Sequence, residues 1–253
     1  MDVRIVGFTG MVFDPGARIL PVCFSASLTI RVIRYDCLMN HAAPESAALE
    51  TLFADFDPAR HPVIARSTQG LIVRVSGMQQ DLAVKIPSGS GPTRWLFTTA
   101  LRREYRAYQR VAGIDGFAHC FGLFQGHYLA LEYLHARPLK HADPPDRQHF
   151  FRRLLRQIER MHARGVAHGD LKSRQNVMVS ADGDPIIIDL GTAVVRQPGW
   201  HPINQRLFNY MCRIDRNSWI KLKYGGYDNI DAADRHLLDR SLIERVNRRI
   251  RRR

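Results

Sequence analysis

The sequence predicts an α+β fold: a five-stranded antiparallel sheet with one helix, followed by a small, mainly helical part. Three observations carry this. Short apolar runs of strand type, broken by turn residues, crowd between residues 62 and 133. From residue 147 to 164 the apolar spacing changes to the 3.6-residue period of a helix. Between Gly165 and Thr192 the chain reads as loop, strand, tight turn, strand and loop. The expected organisation is an extension over residues 1–43, a sheet part over 44–133 and a reduced helical part with a basic tail over 134–253.

Taken in order, residues 1–38 mix apolar pieces with the turn Asp14-Pro15-Gly16 and suggest a small strand-rich extension. Met39 reads as the natural start, because MNHAAPESAALETLF has the look of an ordinary N-terminus. Residues 44–56 predict a short amphipathic helix with Ser46 as its N-cap and Leu49, Leu52 and Phe53 on one side. Strands are expected at 62–67, 71–76 and 82–86, the first two joined by the turn Ser67-Thr68-Gln69-Gly70.

A helix follows over 93–112, closed by Gly113, with Leu101, Tyr105, Tyr108 and Val111 as its inward stripe. Glu104 falls on or beside that stripe, where an acid needs a cation. Lys85 lies among small and branched apolar residues, where a lone ammonium would be costly. The two are expected to pair. Runs at 118–124 and 127–133 around Gln125-Gly126 complete the sheet. Asp143-Pro144-Pro145-Asp146 starts the helix at 147–164, and Gly165 stops it. Further helices are expected over 204–216 and from Ala232 into the arginines of the C-terminus.

Composition narrows the function classes. Hydrophobic residues make up 45% and charged residues 24%, which is the balance of a globular protein with a core. The net charge of +13 favours anionic partners such as nucleotide phosphates or an acidic membrane face. No recognisable nucleic-acid-binding motif accompanies that charge, so no specific nucleic acid is expected. No run of 18 apolar residues exists to cross a membrane, and no signal-peptide pattern opens the chain. The widely spaced Cys23, Cys37, Cys120 and Cys212 read as reduced packing residues of a cytoplasmic protein.

The chemistry concentrates in GVAHGDLKSRQNVMVSADGDPIIIDLGT. Asp170 and Asn176 precede its first strand and Asp189 ends its second. A hairpin brings those flanks together. Two carboxylates and an amide suit a magnesium ion that shares a substrate phosphate.

His168-Gly169-Asp170-Leu171-Lys172 with Asn176 resembles the H-R-D-L-K-x-x-N catalytic loop of protein kinases, and Asp189-Leu190-Gly191 resembles their D-F-G. The resemblance implies a two-lobed kinase-like fold and an ATP-dependent phosphotransferase acting on a hydroxyl. It implies Asp170 as base, Asn176 and Asp189 as magnesium ligands, and Lys172 beside the transferring group. Lys85 with Glu104 would position the ATP phosphates. Gly70 is all that remains of the G-x-G-x-x-G phosphate loop. Glu132 and Leu134 would present hinge backbone to adenine, with Leu131 at the back of that pocket. His168 is expected to pack rather than act as the base.

Gly169 in place of the arginine, and the short stretch after Gly191, are similar to RIO kinases and to bacterial lipopolysaccharide kinases (the Kdo/heptose, WaaP-like group). The second group is the nearer, through MHARGVAHGDLK and FNYMCRIDRNSWIKLK. Asn176 stands six residues after Asp170, one more than in ordinary protein kinases, which leaves Gln175 as an alternative metal-facing residue. The acceptor so implied is a lipopolysaccharide inner-core sugar. An atypical Ser/Thr protein kinase and a pseudokinase are the rivals. A peripheral contact of the basic tail with an anionic membrane, at the inner face of the cytoplasmic membrane, is a further expectation.

Overall fold

A computed structural model describes residues 42–67, 69–77 and 80–239. The chain divides into two compact units, residues 1–51 and 52–253. Residues 1–41 and 240–253 lie outside the description. So do the expected N-terminal strands, Cys23, Cys37, and most of the last helix.

Helix α1 (Ala42–Ala54) begins earlier than the sequence suggests, with Ser46 inside it rather than at its cap. Pro44 explains this, since the first turn of a helix has N–H groups without intrahelical partners and tolerates proline.

The second unit is α+β. Strands β1 (Val63–Arg66), β2 (Gly70–Val75), β3 (Leu82–Pro87), β4 (Cys120–Phe124) and β5 (Tyr128–Glu132) form an antiparallel sheet of order β1-β2-β3-β5-β4. Each neighbouring pair is closed by a short connection, apart from β3 and β5. From β3 the chain runs to β4 through helix α2 (Gly91–Val111), which contacts both of those strands. Opposed residues share a face of a sheet. The register Ala83↔Leu131 and Lys85↔Leu129 therefore puts Lys85 and Leu131 on the same side.

Helix α3 (Arg147–Ala163) starts where Asp146 accepts the His149 N–H (2.8 Å), as the breaker cluster predicts. Phe150, Phe151, Leu154, Ile158 and Met161 are fully buried along it. The hairpin of β8 (Val177–Ser180) and β9 (Pro185–Ile187) pairs Val177 with Ile187. Strand β6 (Ala136–Pro138) adds to its edge, and β7 (Val166–Ala167) pairs with β10 (Val194–Val195). These three strands are too short to leave a pattern in the sequence.

Helix α4 (Pro202–Tyr224) is longer than expected, because Trp219, Ile220 and Leu222 continue its buried face. From Ala232 the chain makes a 3₁₀ turn to Leu237 instead of opening an α-helix. One core runs from α2 and the sheet through α3 to Trp219 and Ile220 of α4. Cys120 and Cys212 are free thiols, and burial pushes both up to about 12. Among the described residues no helix is long and apolar enough to cross a membrane.

Candidate functional site

Lys85 occupies the middle of β3 and reaches Glu104 on α2 at 2.5 Å and Asp189 at 2.9 Å. Glu104 is buried, so the acid that the helix pattern put beside the apolar stripe does face inward. Burial lowers the Lys85 pKa, but Glu104, then Tyr108 and Asp189, outweigh it, and the net shift is upward. For Asp189 burial pushes the pKa upward, and the Lys85 charge outweighs it and holds the carboxyl below the usual range. Burial also raises Glu104 against the pull of Lys85, which opposes the charged state that Lys85 favours. The contact geometry favours ionised partners, since hydrogen bonds at these distances are strongest between an ammonium and carboxylates.

Asp189 holds a left-handed backbone (φ 64°, ψ 71°), one of two non-glycine residues with positive φ among those described. Such a conformation costs about 1–3 kcal/mol and persists only where the surroundings enforce it. Tyr108, one turn beyond Glu104, is buried with its hydroxyl at the Asp189 backbone, and burial drives that phenol's pKa upward.

The loop before β8 is folded around Asp170. Asn176 donates from Nδ2 to the Asp170 carbonyl (3.1 Å) and carboxylate (3.3 Å). Ser173 N–H donates to the same carbonyl (3.3 Å). Asn176 is buried and Gln175 is exposed, so the amide beside Asp170 is that of Asn176. Its carbonyl accepts Ile188 N–H (3.0 Å), which brings the loop next to the residue preceding Asp189. Lys172 is exposed, with Nζ 3.9 Å from Asp170.

His168 is fully buried and both ring nitrogens are engaged. Nε2 meets the Ile188 carbonyl (3.0 Å) and Nδ1 accepts the Asp170 N–H (3.3 Å). It is a packing residue of the loop. Gly169 has φ 81°, and a Cβ there would meet Met211 Sδ at 3.2 Å. A side chain at 169 is therefore strained by backbone as well as by contact.

Sequence reasoning missed the anchor beneath this loop. Asp215 of α4 has no solvent exposure and accepts three hydrogen bonds. They come from His168 N–H (2.8 Å), Gly169 N–H (2.8 Å) and His162 Nε2 (2.9 Å). A signal for it existed. Phe208, Cys212, Asp215 and Trp219 recur at helical spacing, so the acid sits on the buried face.

Three other candidates have local roles. The Glu132 carboxylate accepts His119 N–H (3.0 Å), which ties β5 to the start of β4. The Leu134 carbonyl accepts Ala136 N–H (3.0 Å) as the chain leaves the sheet. Gly70 opens β2, where a Cβ would lie 2.1 Å from the Ile86 carbonyl oxygen. Its lack of a side chain is required by strand pairing itself. Gly70→Ala should lower stability by about 1–3 kcal/mol through that backbone clash. Urea denaturation measures it, and an unchanged midpoint would mean that β2 and β3 part there without cost.

No cluster of three or more His, Cys, Asp or Glu side chains suited to a metal occurs among the described residues. Asn176 and Asp189 nevertheless fit magnesium, an ion that takes one or two protein oxygens and completes its shell with water and substrate phosphate. The Asn176 Nδ2 faces Asp170, so its Oδ1 is the atom left to accept a cation. Comparison with models of known protein families returns no match, and none of the curated proteins is significantly similar in sequence.

Proposed function

We propose that the protein is an ATP-dependent phosphotransferase with a two-lobed kinase-like fold, moving the γ-phosphate to an alcohol hydroxyl. The observation that supports it best is the ion cluster of Lys85, Glu104 and Asp189, joined through Ile188 and Asn176 to the Asp170 loop. A lysine fixed between two carboxylates is a cation held in place for phosphate oxygens, with no reorganisation needed at the moment of transfer. Asp170 has its backbone and one carboxylate oxygen fixed by Asn176, which leaves the other to orient or deprotonate the acceptor hydroxyl. Lys172, beside it, neutralises charge on the transferring group. Magnesium held by Asn176 and Asp189 would neutralise the phosphate oxygens of bound ATP. Backbone of Glu132 and Leu134 would flank the adenine.

The acceptor favoured by the resemblance is a lipopolysaccharide inner-core sugar at the cytoplasmic membrane face. The second reading is a pseudokinase that binds nucleotide without turnover. It is favoured by Gly70, which is a lone glycine packed on Ile86 where kinases carry a glycine-rich loop. Transfer from γ-labelled ATP with magnesium, offered to a lipopolysaccharide inner core and to a protein mixture, tests these readings. Label in the glycolipid supports the sugar kinase, and label only in protein points to a Ser/Thr kinase. Bound ATP with no transfer to either leaves the pseudokinase.

A further inference from the structure

The N-terminal half of α4 and the turn just before it carry a stripe of surface apolar side chains. Trp200, two residues before α4, is 88% exposed and Ile203 82%, while Leu207 and Tyr210 further along the helix are 42% and 43% exposed. The spacing of four and three residues aligns Ile203, Leu207 and Tyr210 along one helical face, and Trp200 enters the helix ahead of them. Two almost fully exposed large apolar side chains continued by two partly exposed ones form a contiguous group rather than the scattered ones an ordinary surface carries. The opposite side of the helix is ordinary core, with Phe208 and Cys212 packed against Ala167 and Val194.

The segment that carries the stripe has basic side chains and no acidic ones. From Leu190 to Ile214 the chain contains Arg196, His201, Arg206 and Arg213 and no acidic residue. Arg213 lies 3.7 Å from Asp239 and 5.5 Å from the centre of the Tyr210 ring, and Arg196 covers Phe208. Arg206 is exposed and pairs with no acid among the described residues.

We propose that this face, built from Trp200, Ile203, Leu207 and Tyr210 with Arg206, docks on an anionic phospholipid bilayer. Tryptophan and tyrosine are the side chains that settle at the headgroup level, with isoleucine and leucine reaching the acyl boundary. Arginines alongside them meet lipid phosphates. A second copy of the chain is a poor occupant, because two-fold pairing would oppose arginines with no acid in the segment to neutralise them. Its residues do not include the C-terminal arginines, and the contact does not depend on whether the site transfers phosphate. It would, however, set the Asp170 loop near the bilayer, since Met211 of α4 lies against Gly169.

The test is co-sedimentation of the full chain, arginine tail included, with phosphatidylcholine vesicles with and without phosphatidylglycerol. Binding should require the anionic lipid. The variant Trp200→Ser/Ile203→Ser should weaken it about tenfold. Arg206→Glu should weaken it as well and flatten its salt dependence. Trp95→Ser/Leu96→Ser, which removes another exposed apolar pair, should bind like the parent chain. Unaltered binding in the α4 variants would overturn the proposal, as would failure of the parent chain to bind either vesicle. A dimer in sedimentation velocity that Trp200→Ser/Ile203→Ser disperses, without vesicle binding, would assign the face to a second copy instead.

Discussion

Asp170→Asn is expected to cut phosphate transfer about a thousandfold, the range lost when a positioned general base is removed. The fold should not suffer. Asp170 is held mainly through its backbone, whose carbonyl accepts from Asn176 and Ser173 and whose N–H donates to His168. An asparagine preserves all three bonds. The exchange removes only the charge and the basic oxygen, so ATP affinity, set by Lys85 and its partners, should stay within a few fold. Single-turnover transfer and nucleotide binding separate the two effects. Transfer that survives the substitution would remove Asp170 from the chemistry, and with it the central assignment of the site.

The largest effect on stability should come from Asp215→Ala. The substitution leaves the His168 and Gly169 N–H groups and His162 Nε2 without their acceptor, at a position that has no solvent exposure. Breaking a buried charged network by removing one partner costs about 3–5 kcal/mol. For a chain of this size that is a fall in Tm of roughly 10 °C. Asp215→Asn keeps the shape and one accepting oxygen but turns an amide toward a donor, and should fall between parent and alanine. Thermal unfolding followed by circular dichroism checks both variants. A Tm within a degree of the parent for Asp215→Ala would mean that water replaces the carboxylate and that the loop is not anchored there.

Much of the sheet was legible because its strands alternate and its turns carry glycine or asparagine-like residues, as at Gln125-Gly126 and Ala181-Asp182-Gly183-Asp184. The inward position of Glu104 followed from helical spacing, and that of Lys85 from its apolar neighbours. Asp215 was not legible in the same way. It lies between Arg213 and Arg216, where an acid reads as a solvated surface pair, and only the packing of α4 under the loop buries it. Asp189 showed its residue type but not its left-handed backbone, which tertiary contacts impose. The strands β6, β7 and β10 exist because a partner edge is present, so no local pattern encodes them. The end of α4 was misplaced for a related reason. Trp219 donates from Nε1 to the Phe151 carbonyl (2.8 Å), an interaction with a residue far away in sequence that prolongs the helix.

The hydrogen bonds under the His168–Gly169 segment have a consequence for its motions. Loop amides ordinarily exchange their protons through small local openings, at the low end of a protein's range of opening free energies. Here two successive loop amides end on a carboxylate with no contact to solvent. Deuterium can reach them only when α4 separates from β7. In exchange read by mass spectrometry, the peptide over residues 166–171 should therefore stay protected for as long as the buried turns of α3. The segment that carries the reactive carboxylate would then be a loop by geometry and part of the slowest-opening core by its dynamics.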